Sequence, residues 1–327
     1  MSGTMRAVRL HEIGGPQNLV VEEIPRPEPA EGEVLVRIRA AAFNRRDVFI
    51  TQGLYPGIKL PVTLGSDGAG VLESSGAEVV IDPMLGWGDD PDVWDPKGSS
   101  VLGMPHDGTF ADYVAVPSGN VYPKPASLSM EEAAAIPLAG LTAYRATFTR
   151  AALRAGETIL IPGVGGGVQT FVLLFAKKIG ARTIVTSGDE AKLERAKALG
   201  ADVCFNYKTT SDWHKQARAA GPIDVVVDSS GGDTLAKAID AIRPGGRIAI
   251  YGGTTADANI KLFPLFWKHV TILGTSMGSP SDFRAMLALF DGTIKPAIDK
   301  VYPFGEAIAA AQRMTSSEQF GKIVLSS

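Results

Sequence analysis

The sequence predicts an α/β protein in which a doubly wound parallel sheet accompanies a second, β-rich part. Three observations predict this fold class. Short alternating segments separated by glycine and proline clusters fill the first part of the chain, short apolar strands then alternate with helical patterns, and a glycine-rich turn follows the first of those apolar strands. The chain has 327 residues, about twice a typical domain length, so we expect two domains.

The β-rich part occupies the start of the chain. Its predicted strands are Met5–Leu10, Leu19–Glu23, Glu33–Ala42 and Gly68–Glu73, and the strand-like sequence FADYVAVP closes it. Between them lies Asp82–Ser100, a turn-rich stretch with two tryptophans and five aspartates. For this stretch three roles stay open: it shapes a substrate entrance, contacts a partner subunit, or forms a surface lobe.

The pattern changes near Pro123, after which strands and helices alternate. A helix is expected over LSMEEAAAIPLAGLTAYRATFTRAAL, with Ser129 as N-cap before two glutamates. The predicted strands that follow are Thr158–Pro162, Thr183–Thr186, Val203–Asn206, Ile223–Asp228, Gly246–Tyr251 and Thr271–Gly274. The clearest helices between them are Val168–Ile179, Glu190–Leu199 and Thr234–Ile242. The final strand, GKIVL, is expected to return to the first part, so we predict domains at residues 1–124 with 292–327, and at residues 125–291.

Composition narrows the choice of partners. A net charge of -3 and a pI near 5.9 do not favour a nucleic-acid or anionic-membrane partner, which would need a basic face. The single cysteine, Cys204, excludes an intrachain disulfide and a cysteine cage for a metal. No apolar run of about 18 residues and no signal peptide is visible, so we expect a cytoplasmic protein that binds a small molecule.

The strongest local signal is the sequence ETILIPGVGGGVQTFVLLFAKKIGA. An apolar strand leads into Gly163, Gly165, Gly166 and Gly167, and an apolar helix leaves from Val168. Glycines permit the positive φ and the close ligand approach of a strand-to-helix turn, while the helix start offers free N–H groups to a pyrophosphate. Because the turn follows the first strand of an alternating series, it predicts a Rossmann-type dinucleotide site rather than an ordinary tight turn.

The end of the next strand distinguishes between the two nicotinamide cofactors. NAD-binding folds usually place an acidic residue there to accept from the ribose 2′-hydroxyl. This chain has Ser187 at that point and Lys192 on the following helix, which suits a 2′-phosphate. Asp189 and Glu190 stand where a helix N-terminus favours acids. We therefore predict NADP(H) as the cofactor.

Several spaced motifs occur together: AAFNRRD, LPVTLGSDGAGVL, GTFADYVAVP, PLAGLTAYRAT, the glycine turn, ERAKALGAD, VVVDSSGG, RIAIYGG and GKIVL. In this order and over nearly the full length, the chain resembles the medium-chain dehydrogenase/reductase superfamily, and most closely its zinc-free quinone oxidoreductase and enoyl reductase branch. The resemblance implies that the β-rich part is a GroES-like catalytic domain beside the Rossmann domain.

The resemblance also implies where a catalytic zinc would be held in the metal-dependent members. Those positions are Asn44, Ser66 and Leu138 in this sequence, and none of them suits the nitrogen and sulfur ligands that zinc prefers. The family's structural zinc lobe would fall in Asp82–Ser100, where there is no cysteine. We therefore expect no metal.

Without a metal, hydride transfer to a quinone or to an α,β-unsaturated carbonyl is favoured over alcohol oxidation. Alcohol oxidation needs a group to take the hydroxyl proton, whereas an enolate needs only a hydrogen-bond donor. Zinc-free relatives imply Tyr55 as such a donor; its alternative role is a half-buried aromatic against Pro56. Asn44 is expected to orient the substrate or the nicotinamide ribose.

Further cofactor contacts carry over from the motifs. Thr142 is expected near the nicotinamide, and Tyr207 resembles a tyrosine that contacts the adenosine phosphate. The remaining expected contacts lie at strand ends: Ser229, Ser230, Gly252, Gly253, Thr254, Thr275 and Ser276.

Three charged residues of the β-rich part receive no catalytic role at this point. Lys322 either reaches a ribose or phosphate, or is a solvated C-terminal lysine. Asp47 and Asp67 are expected to be structural, as caps or as partners of Arg45 and Arg46.

Two other functions stay open. One is an alcohol or aldehyde dehydrogenase-like enzyme that has lost its zinc, and the other is a non-catalytic NADP-binding structural or sensor protein. We also expect a homodimer, because the apolar strand near His269–Thr275 would lie at the sheet edge, and an uncovered apolar edge favours pairing.

Overall fold

In the computed structural model of the protein, residues 3–255 and 257–327 are described. The chain forms two compact units, Met1–Ala139 with Ser279–Ser327, and Gly140–Gly278. Within the described residues, the helices are too short or too polar to cross a bilayer.

The first unit is built mainly of antiparallel strands. Its strands are β1 (Thr4–Leu10), β2 (Leu19–Pro25), β3 (Glu33–Ala42), β4 (Val62–Thr63), β5 (Asp67–Leu72), β6 (Glu78–Ile81), β7 (Met84–Leu85), β8 (Ser100–Val101), β9 (Tyr113–Pro117), β10 (Val121–Pro123), β17 (Ile298–Pro303) and β18 (Lys322–Ser326). Its helices are α1 (Arg45–Thr51), α2 (Met130–Ala134), α9 (Pro280–Leu287) and α10 (Ala307–Ser316). The helix α3 (Pro137–Tyr144) runs across the boundary between the units.

The main sheet of this unit has the strand order β10-β6-β5-β3-β18-β17, with β9 also pairing with β3. The C-terminal strand β18 lies antiparallel to β3, with Val324 opposite Ala42, so the predicted return of GKIVL is confirmed. Alternate side chains of these strands enter one apolar core, in which the rings of Phe43 and Phe110 lie 4.4 Å apart. The sheet therefore joins the two ends of the chain.

The second unit contains one parallel sheet with helices between its strands. Its strands are β11 (Thr158–Ile161), β12 (Arg182–Ser187), β13 (Val203–Asn206), β14 (Val225–Asp228), β15 (Arg247–Ile250) and β16 (Thr271–Gly274). Its helices are α4 (Gly167–Lys178), α5 (Glu190–Ala198), α6 (Trp213–Ala219), α7 (Gly232–Ala241) and α8 (Leu262–Trp267). The strand order β13-β12-β11-β14-β15-β16 is the doubly wound order of a dinucleotide-binding fold, which confirms the predicted fold class.

The helical stretch predicted after Pro123 is interrupted. Ser129 caps α2 as expected: its hydroxyl accepts from the amide of Glu132, whose carboxylate accepts from the Ser129 amide. Pro137 then begins a new helix, because a proline cannot supply the amide that would continue the previous one. After α3 the residues Arg145–Arg150 form a π-helical turn.

The boundaries between the units differ from the predicted ones. Residues 125–139 and 279–291 group with the first unit and not with the second. The reason is packing: the ring of Phe283 in α9 packs at a tilt against that of Tyr122, with centroids 4.9 Å apart, and the Ser127 hydroxyl donates to the Phe290 carbonyl. A change in residue pattern marks where helices begin, but not the unit on which they pack.

Candidate functional site

The glycine turn lies between β11 and α4, as predicted. Gly163 and Gly165 have φ values of +69° and +135°, which side-chain-bearing residues rarely adopt. A Cβ on Gly165 would lie 2.9 Å from Cδ of Lys192, so a side chain there would require the lysine stem to move in addition to straining the backbone. Gly166 is the N-cap of α4 and Gly167 its first residue, which leaves the first amides of the helix to a ligand. The turn therefore fits a pyrophosphate.

A polar group of residues surrounds the end of β12. Ser187 is the last residue of that strand and is 5% exposed. The ring of Tyr207 covers Gly188, where a Cβ would come within 2.7 Å of the ring. The aliphatic stem of Lys192 lies against Gly165 of the turn. The structure thus brings the predicted residues Ser187, Lys192 and Tyr207 to one end of the sheet.

The two acids that follow β12 have local roles. Asp189 is the N-cap of α5, and its carboxylate accepts from the amide of Ala191 at 2.9 Å. The carboxylate of Glu190 accepts from the side-chain amide of Asn206 at 3.1 Å. The contact of Asp189 agrees with its interpretation as a helix-start residue, and that of Glu190 joins the start of α5 to the end of β13.

The other predicted cofactor residues follow the last three strands of this sheet, β14, β15 and β16. Ser229 and Ser230 come after β14, the segment from Gly252 to Thr254 after β15, and Thr275 with Ser276 after β16. Carboxyl ends of parallel strands meet at one edge of the sheet, where open α/β sheets bind their ligands. Hydrogen bonds join some of these residues: the amide of Thr254 donates to the Ser229 carbonyl at 3.0 Å.

Gln169 belongs to this group, although the sequence assigned it no role. Its side-chain amide donates to the Ser229 hydroxyl at 2.8 Å, and its Oε1 would lie 2.5 Å from a Cβ on Gly166. It therefore links the glycine turn to the end of β14. A polar residue in the first turn of an otherwise apolar helix was the available signal. Thr142, predicted to lie near the nicotinamide, is a buried residue of α3, the helix that precedes this sheet.

A second polar cluster forms in the first unit, where three neighbouring strands meet. In the order β5-β3-β18, Asp67 lies opposite Ala42 of β3. The antiparallel register between β18 and β3 continues through the bond from the Phe43 amide to the Ile323 carbonyl. Lys322 is thereby placed opposite Asn44, the residue just before α1.

The three polar side chains of this cluster bond to one another. The ammonium of Lys322 donates to Oδ1 of Asn44 at 2.6 Å and to Oδ2 of Asp67 at 2.7 Å. Nδ2 of Asn44 donates to the same Asp67 oxygen at 2.9 Å. Oδ1 of Asp67 accepts from the amide of Leu138 at 2.8 Å. The exposed fractions are 2% for Lys322, 0% for Asp67 and 7% for Asn44, so this is a buried, paired charge.

These contacts correct two expectations. Lys322 is not a solvated C-terminal lysine, because strand pairing carries it into the interior. Asp67 is structural but pairs with Lys322 and not with Arg45 or Arg46. Arg45 instead donates to the Met314 carbonyl and the Ser317 hydroxyl. The sequence alone offered only the polar lysine within GKIVL as a signal.

Arg46 connects Ser66 with Tyr55. Its guanidinium donates to the Ser66 hydroxyl at 2.6 Å and to two backbone carbonyls, and it lies 5.0 Å from the centre of the Tyr55 ring. Tyr55 is half-buried against the apolar core. Arg46 is thus the residue that anchors this ring.

Asp47, the third residue of α1, caps the start of the helix from within, as expected, while Asn44 is the N-cap residue. Its Oδ2 accepts from the Asn44 amide at 2.7 Å. The pKa of Asp47 is raised to about 6, mainly by burial and also by the nearby Asp67 carboxylate, while Arg46 and the bond from Asn44 oppose the shift. The cap therefore fixes the backbone of Asn44.

The residues at the three positions implied for a zinc do not fit that metal. The carbonyl oxygen of Asn44 accepts from the Lys322 ammonium, and the hydroxyl of Ser66 accepts from Arg46. Leu138 offers only an apolar side chain. In the described ranges, three or more histidine, cysteine, aspartate or glutamate side chains never meet in a metal-binding cluster. The positive charge beside Asn44 comes from Lys322.

Comparison with known proteins relates both units to one superfamily. Residues 30–126 match the model of the alcohol dehydrogenase GroES-like domain, and residues 167–292 match that of the zinc-binding dehydrogenase. A zinc-type alcohol dehydrogenase-like protein of Schizosaccharomyces pombe is 36% identical, with 98% of this chain and 99% of the relative covered. The quinone oxidoreductase of Mus musculus is 28% identical, with 98% and 97% covered.

A solved structure agrees with these matches. The crystal structure of an NAD-dependent alcohol dehydrogenase has a TM-score of 0.92 and 38% identity, covering 99% of this chain and all of that one. The matches span nearly the full length and include both the GroES-like domain and the Rossmann-type sheet. The chain therefore belongs to the medium-chain dehydrogenase/reductase superfamily of pyridine-nucleotide-dependent oxidoreductases.

Proposed function

We propose that this protein is an NADPH-dependent reductase that transfers hydride to a quinone or an α,β-unsaturated carbonyl without a metal. The observation that carries the proposal is the buried Lys322 ammonium, 2.6 Å from the carbonyl oxygen of Asn44. A metal cation bound to Oδ1 of Asn44 would lie close to this ammonium, because both would contact the same oxygen. Two like charges so close together repel strongly in a buried site. The site is thus built for a hydrogen-bonded substrate and not for a metal alkoxide.

The chemistry of the substrate follows from this arrangement. Oxidising an alcohol requires a group that takes its proton, a task for which zinc is well suited. Reducing an enone or quinone requires only a donor for the negative oxygen that develops. Asn44, and Tyr55 held by Arg46, are the donors that the first unit offers.

The second unit would hold the nucleotide. The amides at the start of α4 bind the pyrophosphate, and Ser187, Lys192 and Tyr207 bind the 2′-phosphate of NADPH. Asp189 is engaged in capping α5, which supports NADPH over NADH. The similar solved structure is of an NAD-dependent enzyme, so the experiment compares both nucleotides directly.

When bound, the reduced nicotinamide supplies a hydride, which forms a C–H bond at the β-carbon of the enone and leaves the nucleotide oxidised. The π electrons of the C=C bond move to the carbonyl oxygen, and the side-chain donors stabilise this enolate. A proton from solvent then completes the saturated ketone. For a quinone, the two electrons and two protons give the hydroquinone.

The test is a steady-state assay of the purified protein with NADPH or NADH and, in turn, a benzoquinone, an enone and an aldehyde, together with an alcohol and NADP⁺ or NAD⁺. We expect turnover of the quinone and the enone only. Alcohol oxidation at a comparable rate would instead support a dehydrogenase. Micromolar binding of NADPH without turnover of any acceptor would support a non-catalytic role.

A charge variant tests the nucleotide assignment in the same assay. We expect Lys192→Gln to raise KM for NADPH by at least about tenfold, the effect of losing one charge-assisted hydrogen bond, and to change KM for NADH much less. Lys197→Gln is the matched control, because Lys197 lies on the same helix and pairs with the exposed Glu194. Equal effects of Lys192→Gln on both nucleotides would contradict the preference for NADPH.

A further inference from the structure

Asn44, Asp67 and Lys322 leave the amide of Asn44 only one orientation. An ammonium can only donate hydrogen bonds, and an ionised carboxylate can only accept them. Oδ1 of Asn44 therefore faces Lys322, at 2.6 Å, and Nδ2 faces Asp67, at 2.9 Å. Rotation of the amide by half a turn would place its NH₂ group against the ammonium and its oxygen against the carboxylate.

The contacts of Asp67 show that it holds the cluster together. Its Oδ2 accepts from both Lys322 and Asn44, and its Oδ1 accepts from the Leu138 amide. The side chain is fully buried, so solvent does not compete for these bonds. Nδ2 of Asn44 carries two hydrogens, and Asp67 takes one of them. The second hydrogen is the donor that this arrangement leaves for a substrate.

The ammonium also changes the strength of that donor. A cation on the carbonyl oxygen of an amide draws electron density from its nitrogen, and hydrogen bonds arranged in such a chain strengthen one another. In a buried site of low effective dielectric this polarisation is larger than in water. The ammonium therefore makes the remaining N–H of Asn44 a stronger donor to a developing enolate than a neutral partner at Oδ1 would, while the Asp67 carboxylate on the other N–H acts in the opposite direction.

We propose that Lys322 is a positioning residue for the reduction: its ammonium holds and polarises the Asn44 amide, whose remaining N–H donates to the carbonyl oxygen of the substrate. This inference rests on the proposed reductase function. Lys322 itself acts only through Asn44, at a site where the residues cannot bind a metal.

The decisive variants separate positioning from folding. Lys322→Met alone leaves the Asp67 carboxylate buried without a counter-ion, which destabilises the fold. The double variant Lys322→Met with Asp67→Asn removes both charges, and Lys322→Arg keeps the cation. The matched control is Lys124→Met, since the side chain of Lys124 is also buried, at 6% exposed, and pairs with Glu78 in the same unit.

We expect the double variant to bind NADPH with the wild-type Kd, measured by nucleotide fluorescence, and to lose at least about tenfold in kcat for enone reduction, since loss of one such donor costs roughly 10²–10³. Lys322→Arg should recover most of kcat, and Lys124→Met should keep the wild-type value. A folded double variant with unchanged kcat and unchanged NADPH binding would overturn the proposal.

A measurement without turnover distinguishes this inference from the proposed function. In NMR spectra of the full chain, the side-chain amide of Asn44, assigned with Asn44→Ala, should exchange slowly with solvent and should shift and exchange faster in the double variant. If the wild type reduces no acceptor, the proposed function fails, and this signal still decides whether Lys322 holds Asn44. An unchanged signal in the double variant would overturn the positioning role.

Discussion

Asp82 is a buried carboxyl group that lies outside both polar clusters. It is 1% exposed, and its Oδ1 accepts from the Met84 amide at 3.0 Å. Burial raises its pKa to about 8, although the bond from Met84 and the charge of Arg284 oppose the shift. The folded protein therefore binds this proton more tightly than the unfolded chain, where an aspartate titrates near 3.9.

This shift makes stability depend on pH at the scale of one residue. The protonated Asp82 therefore contributes to the free energy of unfolding. This contribution is complete below about pH 4 and is lost as pH rises through about 8. We predict that Asp82→Asn, which keeps the acceptor oxygen, is close to wild type in acid and is more stable by at least about 1 kcal/mol at pH 9, since each unit of pKa difference corresponds to about 1.4 kcal/mol.

The measurement is urea unfolding of both proteins at about pH 5, 7 and 9. Asp89→Asn serves as the control, because Asp89 lies on the exposed part of the same stretch. A stability difference that is the same at all three pH values would refute the assignment of the proton to Asp82.

At the scale of elements, α8 has an exposed apolar surface, and β16, which follows it in the chain, is an edge strand. The strand β16 pairs with β15 on one side and is at the end of the sheet order. The helix α8 has four apolar side chains that are each more than 60% exposed: Leu262, Phe263, Phe266 and Trp267. Two of them, Phe263 and Trp267, stack on each other with ring centroids 5.7 Å apart. An exposed apolar helix and an open strand edge are each typical of protein–protein interfaces.

We propose that a second copy of the chain covers this surface, and we predict a dimer of twice 34.4 kDa by light scattering. The double variant Phe266→Ser with Trp267→Ser should give the monomer mass, because it removes two exposed aromatic side chains from the interface. Trp94→Ser is the control, since Trp94 is exposed on the other unit. A wild type that is monomeric at all concentrations would refute the proposed dimer.

At the scale of the whole molecule, we predict that metal ions have no part in activity or stability. Over the described ranges, no clustered side chains suit a metal, and Lys322 supplies the positive charge beside Asn44. Extended treatment with a chelator should change neither kcat nor Tm, and added zinc should restore nothing. Stoichiometric zinc by elemental analysis of the purified protein, or a Tm that falls on chelation, would contradict this.

The fold and the grouping of the predicted cofactor residues at one edge of the parallel sheet could be predicted from the sequence, because both depend on local requirements. A parallel strand that is buried on both faces is a short apolar run, and a strand-to-helix turn needs glycine where φ is positive, as at Gly163 and Gly165. The residues after each strand meet at one edge in any doubly wound sheet. Ser187, Ser229 and Tyr207 could therefore be selected before their contacts were known.

Only the tertiary structure decided the polar cluster of the first unit. Lys322 and Asn44 are 278 residues apart, and their contact depends on the register of β18 against β3, which no local pattern specifies. Burial, which raises the pKa of Asp82 and Asp47, is likewise a property of packing and not of sequence. The sequence by itself determined the parallel sheet and its glycine-rich turn, because these follow from residue types at fixed spacing. The tertiary structure decided that an ammonium is the cation beside Asn44, because strands from opposite ends of the chain had to pair to bring it there.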